Sequence, residues 1–203
     1  MVIGITGGVG CGKSAVMKIL EKEYHAHIII ADEMGHEVME PGGEAFDTIC
    51  REFGREILLA DSGDGEKKAI DRQALAALIY GDDKKREKLN AIIHPLVLRK
   101  IQDKLRQWQE EPLVVIETAI LFETGCDALC DEVWGVFASR QTRLERLITS
   151  RGYTEQKAIS IMEKQLSDEE LAGRCHRRIE NDGSFSDLYR QLRELLLGTE
   201  EKI

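Results

Sequence analysis

No stretch of the 203 residues strings together enough apolar side chains to cross a bilayer, so an integral membrane protein is not expected. Neither a basic leader nor an apolar signal segment precedes the start Met1-Val2-Ile3-Gly4-Ile5-Thr6, which argues against secretion and for the cytoplasm. Cysteine is sparse and odd in number: Cys11, Cys50, Cys126, Cys130 and Cys175 lack the regular spacing of a disulfide framework and read as free thiols. A zinc set can be written from Cys126-x-x-x-Cys130 with Cys175-His176, but the spacing fits no common structural site. Positive charge is also short. With 28 Lys and Arg against 37 Asp and Glu, the net charge of −9 opposes extended contact with nucleic acid, whose phosphates are held by clustered basic residues. A small anionic ligand stays compatible, since it needs only a local positive pocket. No repeat or low-complexity tract is visible, and nothing in the chain sets an oligomeric state.

The length suits one well-buried domain and is too short for two independent enzymes. Short apolar runs occur at Val2 to Thr6, His27 to Ile30, Leu113 to Ile116, Val133 to Ala138 and, weakly, Arg178 to Glu180. Runs that are apolar at successive positions suit strands buried on both faces, so the expected class is α/β, a parallel sheet covered by helices. Ser14 to Glu23 carries Ala15, Val16, Ile19 and Leu20 at helical spacing. A longer stripe over Asp83 to Trp108 contains Leu89, Ile92, Ile93, Leu96, Val97, Ile101, Leu105 and Trp108, with Pro95 expected to kink or divide it. Residues 60–68 read as a turn-rich connector without the spacing of a calcium loop. A final helix is expected over about Ser184 to Leu197, docked by Leu188, Leu192, Leu195 and Leu196.

The chemistry concentrates at Gly7-Gly8-Val9-Gly10-Cys11-Gly12-Lys13-Ser14, which fits G-x-x-x-x-G-K-[ST] between a buried strand and a helix. Glycines let consecutive N–H groups turn inward, and the following helix adds the positive end of its dipole, so the loop can wrap the phosphates of ATP. On this reading Gly7, Gly8, Gly10, Cys11, Gly12, Lys13, Ser14 and Ala15 hold the nucleotide, Lys13 reaches the β- and γ-phosphates from a solvent-facing loop, and Ser14 ligates Mg²⁺. Cys11 lies where a helix N-terminus can lower a thiol pKa, against the alternative of an inert small residue. Asp32 ends the second apolar run. It is a candidate to take a proton from a substrate hydroxyl or to hold a metal-bound water, and equally a candidate N-cap. Glu117, which ends the third run, is a candidate to hold the metal through water. Asp32-Glu33-Met34-Gly35 spells a GTPase switch motif, but the guanine-reading N-K-x-D is absent and the match is taken as chance.

The loop, Ala31-Asp32, Pro41-Gly42-Gly43, Ile70-Asp71-Arg72 with Leu75, His94-Pro95-Leu96-Val97, Leu121-Phe122-Glu123-Thr124-Gly125, Gln165 and Asn181-Asp182-Gly183 together resemble, in order and spacing, the dephospho-CoA kinases. The resemblance spans nearly the whole chain, and its specific part is Ile-Asp-Arg followed by His-Pro-Leu-Val and Leu-Phe-Glu. It implies a three-layer P-loop kinase with a five-stranded parallel core (residues 1–32, 112–139 and 176–203), a helical substrate-side sub-domain (about 33–111) and a helical lid (about 140–175). It implies transfer of the γ-phosphoryl of ATP to the ribose 3′-hydroxyl of dephospho-CoA, with Asp32 as the catalytic aspartate, Arg146 as the lid arginine and His94 on the substrate side. The chain departs from the pattern at Ile30, at Ala119-Ile120-Leu121, at Cys175-His176, at Ile161 in place of an arginine, and at Arg151, displaced by one position. Two further readings are a kinase for another small acceptor, such as a nucleoside monophosphate, and a nucleotide-binding regulator without transfer activity.

Overall fold

The computed structural model describes residues 1–59 and 68–200. The expected connector at 60–68 falls almost wholly outside the described residues. By its contacts the chain divides into two compact units, one of Met1–Ile29 with the chain from Trp108 onward, the other of Ile30–Gln107.

The first unit is organised by a sheet in the order β2-β3-β1-β4-β5, with β1 Val2–Thr6, β2 His27–Ile30, β3 Val114–Glu117, β4 Glu132–Phe137 and β5 Arg177–Glu180. The pairs β1–β3, β1–β4 and β4–β5 are parallel, with Val2 opposite Val114 and Ile3 opposite Glu132. The third strand begins one residue later than the apolar run suggests and takes in Glu117, so this carboxylate belongs to the sheet. The five-stranded α/β arrangement is the one expected from the sequence.

Both faces of β1 are covered, which is why its residues run apolar without alternation. Ile3 and Ile5 pack in one cluster with Val16, Ile19 and Leu20 of helix α1 (Lys13–Tyr24) and Leu188 and Leu192 of the C-terminal helix Phe185–Glu200. Gly4 faces the other way, where a Cβ would press on Cys130 Sγ at 2.8 Å and Leu121 at 3.0 Å. Each fully buried Leu or Ile in this cluster contributes roughly 1.5–3 kcal/mol. Trp108 stacks on His27 with ring centroids 4.8 Å apart, a contact its expected place on a helical stripe did not indicate.

The second unit is helical: α2 Ala31–Met39, α3 Phe46–Phe53, α4 Arg72–Ile79 and α5 Asp83–Gln107. Val38, Phe46, Ile49, Phe53, Ile57, Ile70, Leu75 and Leu89 form its core. The Ile-Asp-Arg triplet has a visible structural task here. Ile70 is buried, the Asp71 side chain accepts from the N–H groups of Gln73 (2.9 Å) and Ala74 (3.1 Å) to cap α4, and Arg72 pairs with Glu40 at 2.9 Å. Helix α5 is not divided at Pro95. Pro95 and Ala91 are both exposed, so water can satisfy the carbonyl that the missing N–H leaves open, while buried Leu89 and Ile101 anchor either half.

Returning to the first unit, three capped helices follow β4: α6 Arg140–Arg151, α7 Glu155–Met162 and α8 Asp168–Ala172. Ser139 and Thr154 accept the first-turn N–H groups of α6 and α7, and Ser167 with Glu170 makes a reciprocal capping box on α8. The C-terminal helix is α9.

Candidate active site

The loop between β1 and α1 begins at Gly7 and ends at Gly12, whose φ of 96° and ψ of 29° lie in the left-handed region that a side chain resists. A Cβ there would also collide with the Asn181 side chain. The turn delivers α1 with no side-chain cap and no acidic residue in its first turn. No side chain of the first turn therefore neutralises the positive end of its dipole, an arrangement that suits an anion.

Lys13 is the first residue of α1 and not part of a solvent-facing loop as the sequence suggested. Its ammonium folds back, donates to Gly7 O at 3.0 Å and stands 3.5 Å from Glu117 Oε1, with the two side chains 14% and 11% exposed. Ser14 follows, exposed, and Ala15 N–H donates to Gly12 O at 2.9 Å. Glu117, at the carboxyl end of β3, thus carries the partner charge of the loop lysine.

Cys11 departs from the reactive thiol that its position suggested. Its side chain is 1% exposed, and burial pushes its pKa up, outweighing the pull of Lys13 and Arg143. A helix N-terminus lowers a thiol pKa only where the thiolate can be solvated or paired, and Cys11 Sγ is instead packed beneath the loop against Gly7.

The outer side of the loop is held by α6. Arg146 donates through Nη1 to Cys11 O (3.2 Å) and Gly10 O (3.4 Å), and through Nη2 to Asn181 O (2.7 Å). Asn181, just after β5, donates from Nδ2 to Cys11 O at 2.8 Å. Arg143, one helical turn before Arg146, is 7% exposed and donates from Nε to Val9 O at 2.9 Å. Its Nη2 donates to Gln165 Oε1 at 2.9 Å, and Nη1 lies 3.3 Å from Asp168 Oδ1. Gln165 Oε1 also accepts the Val9 N–H at 2.8 Å. The sequence singled out Arg146 but not Arg143, although the i, i+3 spacing puts both on one side of α6 next to buried Leu147. Below them Asp182 accepts from Ser139 N–H and Oγ, and the Thr142 hydroxyl, with Ser139, holds its carboxyl below the usual value. A cleft of about 290 Å³ opens beside the loop, lined among others by Gly7, Gly8, Ala119, Ile120, Gln165 and Leu171.

Loop, Lys13, Ser14, Glu117 and Arg146 thus come together in the first unit. Asp32 and His94 belong to the second. Asp32 lies exposed in the first turn of α2, which starts at Ala31 with Ile30 as its flanking residue, so Asp32 is not the N-cap. His94 is half-buried on α5, and burial lowers its pKa. Among the described residues no group of three His, Cys, Asp or Glu is placed to hold a metal ion. His176 Nδ1 instead accepts the Val133 N–H at 2.9 Å, tying the start of β4 to the entry of β5. No helix among the described residues is long and apolar enough to cross a membrane.

Comparison with known proteins agrees with this architecture. The chain is 37% identical over 186 residues to the dephospho-CoA kinase of Symbiobacterium thermophilum, covering 91% of this chain and 75% of that protein. It is 35% identical over 196 residues to that of Geobacter sulfurreducens, covering 96% of each. The solved structure of dephospho-CoA kinase from Campylobacter jejuni superposes with a TM-score of 0.72 over 99% of this chain and 98% of that one; at 20% identity it speaks for the fold alone. A family model described as dephospho-CoA kinase matches residues 1–187, and the chain belongs to that family.

Proposed function

We propose that this chain transfers the γ-phosphoryl group of ATP to the ribose 3′-hydroxyl of dephospho-CoA, giving CoA and ADP. The observation that carries this reading is the membership of residues 1–187, because the phosphate loop alone is shared by many nucleotide-binding proteins. Phosphoryl transfer passes through a loose transition state, so the chain's task is positioning and neutralising charge. The segment from Gly7 to Ala15 would bind the phosphate chain through N–H groups other than those of Val9, Cys11 and Ala15, which are paired with Gln165, Gly8 O and Gly12 O. Lys13 would exchange Gly7 O for the β- and γ-phosphates, and Arg146 would add positive charge from α6. Asp32 would orient the 3′-hydroxyl and accept its proton, for which its exposure and its freedom from a capping role leave the carboxylate suited. His94 would contribute on the acceptor side.

The donor set suits Mg²⁺. A single hydroxyl, Ser14, with Glu117 nearby through Lys13, is the sparse oxygen environment that this ion accepts when it keeps its waters and takes phosphate oxygens. When bound, the ion would neutralise charge across the β- and γ-phosphates. Residues 1–32, 112–139 and 176–203 would serve as the core, about 33–111 as the acceptor side, and about 140–175 as a lid. The contacts of Arg143 and Arg146 with the loop support such a role for the last segment. A nucleic-acid partner is not part of this reading, since a net charge of −9 opposes extended contact with the phosphates of such a polymer.

The test is a coupled assay of ADP release with dephospho-CoA, with a panel of nucleoside monophosphates, and without acceptor, the product being identified by mass. Release dependent on dephospho-CoA, with CoA as product, is expected. Release dependent on a nucleoside monophosphate, or ATP binding without any transfer, would overturn the reading.

A further inference from the structure

The Val9 peptide group is gripped at both ends by two side chains that themselves bond each other. Arg143 Nε–H donates to Val9 O (2.9 Å), Val9 N–H donates to Gln165 Oε1 (2.8 Å), and Arg143 Nη2–H donates to the same Gln165 oxygen (2.9 Å). The three bonds close a ring around one residue at the outer bend of the phosphate loop. Arg143 comes from α6 and Gln165 from the turn between α7 and α8, so the loop's shape is fixed by a segment more than 130 residues away in sequence.

A solvated surface arginine does not explain this arrangement. Arg143 is 7% exposed, and its guanidinium lies so close over Gly8 that a Cβ at that position would overlap it. The anion facing it, Asp168, is 39% exposed and meets one nitrogen at 3.3 Å, so water weakens the ion pair, while the two bonds to Val9 are part-buried. Gln165 suits its position because an amide oxygen can accept two donors at once. A carboxylate there would bind Arg143 more tightly but add negative charge beside a site built for phosphates.

We infer that Arg143 and Gln165 are a pair of positioning residues that hold the outer bend of the phosphate loop in the form that receives ATP. Neither touches the reacting atoms. Their effect falls on nucleotide capture, because the N–H groups past Val9 converge on an anion only when the loop's backbone is held in one conformation. The inference rests on the proposed phosphotransferase reading, yet nucleotide binding measures it without any acceptor.

Arg143→Met, Gln165→Met and the double variant are compared with the wild type. Read-outs are Mg-ADP affinity by calorimetry, KM for ATP and for dephospho-CoA, and melting temperature. Each single variant is expected to weaken ADP and raise KM for ATP about 10- to 100-fold, the range for losing hydrogen bonds to a charged group, while KM for dephospho-CoA stays within about twofold. The double variant should be little worse than the worse single one, since the pair acts as a unit. Arg143→Lys, which keeps charge but cannot reach Val9 O and Gln165 together, should not restore affinity. Should Arg143→Met not fold, Gln165→Met carries the test, its effect being read with Arg143 in place. Unchanged ADP affinity in a folded Gln165→Met variant, or KM values rising equally for both substrates, would overturn the inference. If the wild type binds ADP but phosphorylates no dephospho-CoA, the proposed reaction fails and the clamp is still judged by ADP affinity.

Discussion

Replacing Lys13 by alanine should do two separable things. The ammonium makes a charge-assisted bond to Gly7 O at 3.0 Å and faces Glu117 at 3.5 Å, with both side chains largely out of water. Losing the hydrogen bond costs about 1.5–3 kcal/mol. Depriving a mostly buried carboxylate of its cation approaches about 3–5 kcal/mol when burial is complete, and less here, where some water reaches the pair. A combined loss of about 3 kcal/mol is expected, which for a chain of this size lowers Tm by roughly 6–12 °C. Adding Glu117→Gln should recover most of that loss, because an amide in the same place needs no cation. Turnover should not recover. It falls on the order of 10²- to 10³-fold in both variants, since no other residue replaces the positive charge opposite the transferring group. Thermal melts with ADP release at saturating substrates measure the two effects independently. A Lys13→Ala protein that melts like the wild type, or a double variant that melts below the single one, would refute the reasoning from burial; wild-type turnover in either would refute the role of the loop.

Asp32→Asn should lower kcat roughly 10²- to 10⁴-fold, as for a positioned general base, while Mg-ADP affinity and melting change little because Asp32 makes no capping bond; near-normal kcat removes it from the mechanism. Cys11 should resist alkylation at pH 7–8 with or without nucleotide, since burial raises its pKa and hides it; rapid labelling slowed by Mg-ATP would contradict that. Asp182, whose folded pKa lies below the ordinary value, binds more protons unfolded than folded as pH falls toward that value. Its bonds to Ser139 therefore stabilise fully above about pH 4–5 and fade below, and Asp182→Asn should flatten this acid limb of a stability profile; an unchanged limb would assign it to other carboxylates.

What the sequence made legible was whatever local pattern determines. Successive apolar residues marked the strands, and the loop motif marked the turn between β1 and α1, because its glycines answer to backbone geometry alone. The rest shares a cause. Pro95, expected to kink or divide α5, leaves it undivided because its exposure lets water repair the ladder, and exposure belongs to tertiary structure. Lys13 was expected to face solvent and Cys11 to be either reactive or inert, yet Lys13 turns back onto Gly7 and Glu117 at the end of β3, and Cys11 is buried beneath the loop. Arg143 was one arginine among many in a charged stretch; that it is buried against Val9 depends on how α6 meets a loop from the other end of the chain. The spacing from Arg143 to Arg146 and Leu147 was the available signal, and it shows a shared face without saying what covers it.

The central place of β1 sets an order of events during synthesis. This strand leaves the ribosome well before either of its neighbours, which are more than 100 residues downstream, and the bond from Asn181 to Cys11 closes a separation of 170 residues. Until then Val2–Thr6 is an apolar segment with two open edges, the kind of surface that chaperones cover and that aggregates when they do not. Such long-range pairing also predicts slow folding relative to helical proteins of equal length. The loop from Gly7 to Gly12, made before the segments that hold it, is thus among the last parts of the molecule to take its final form.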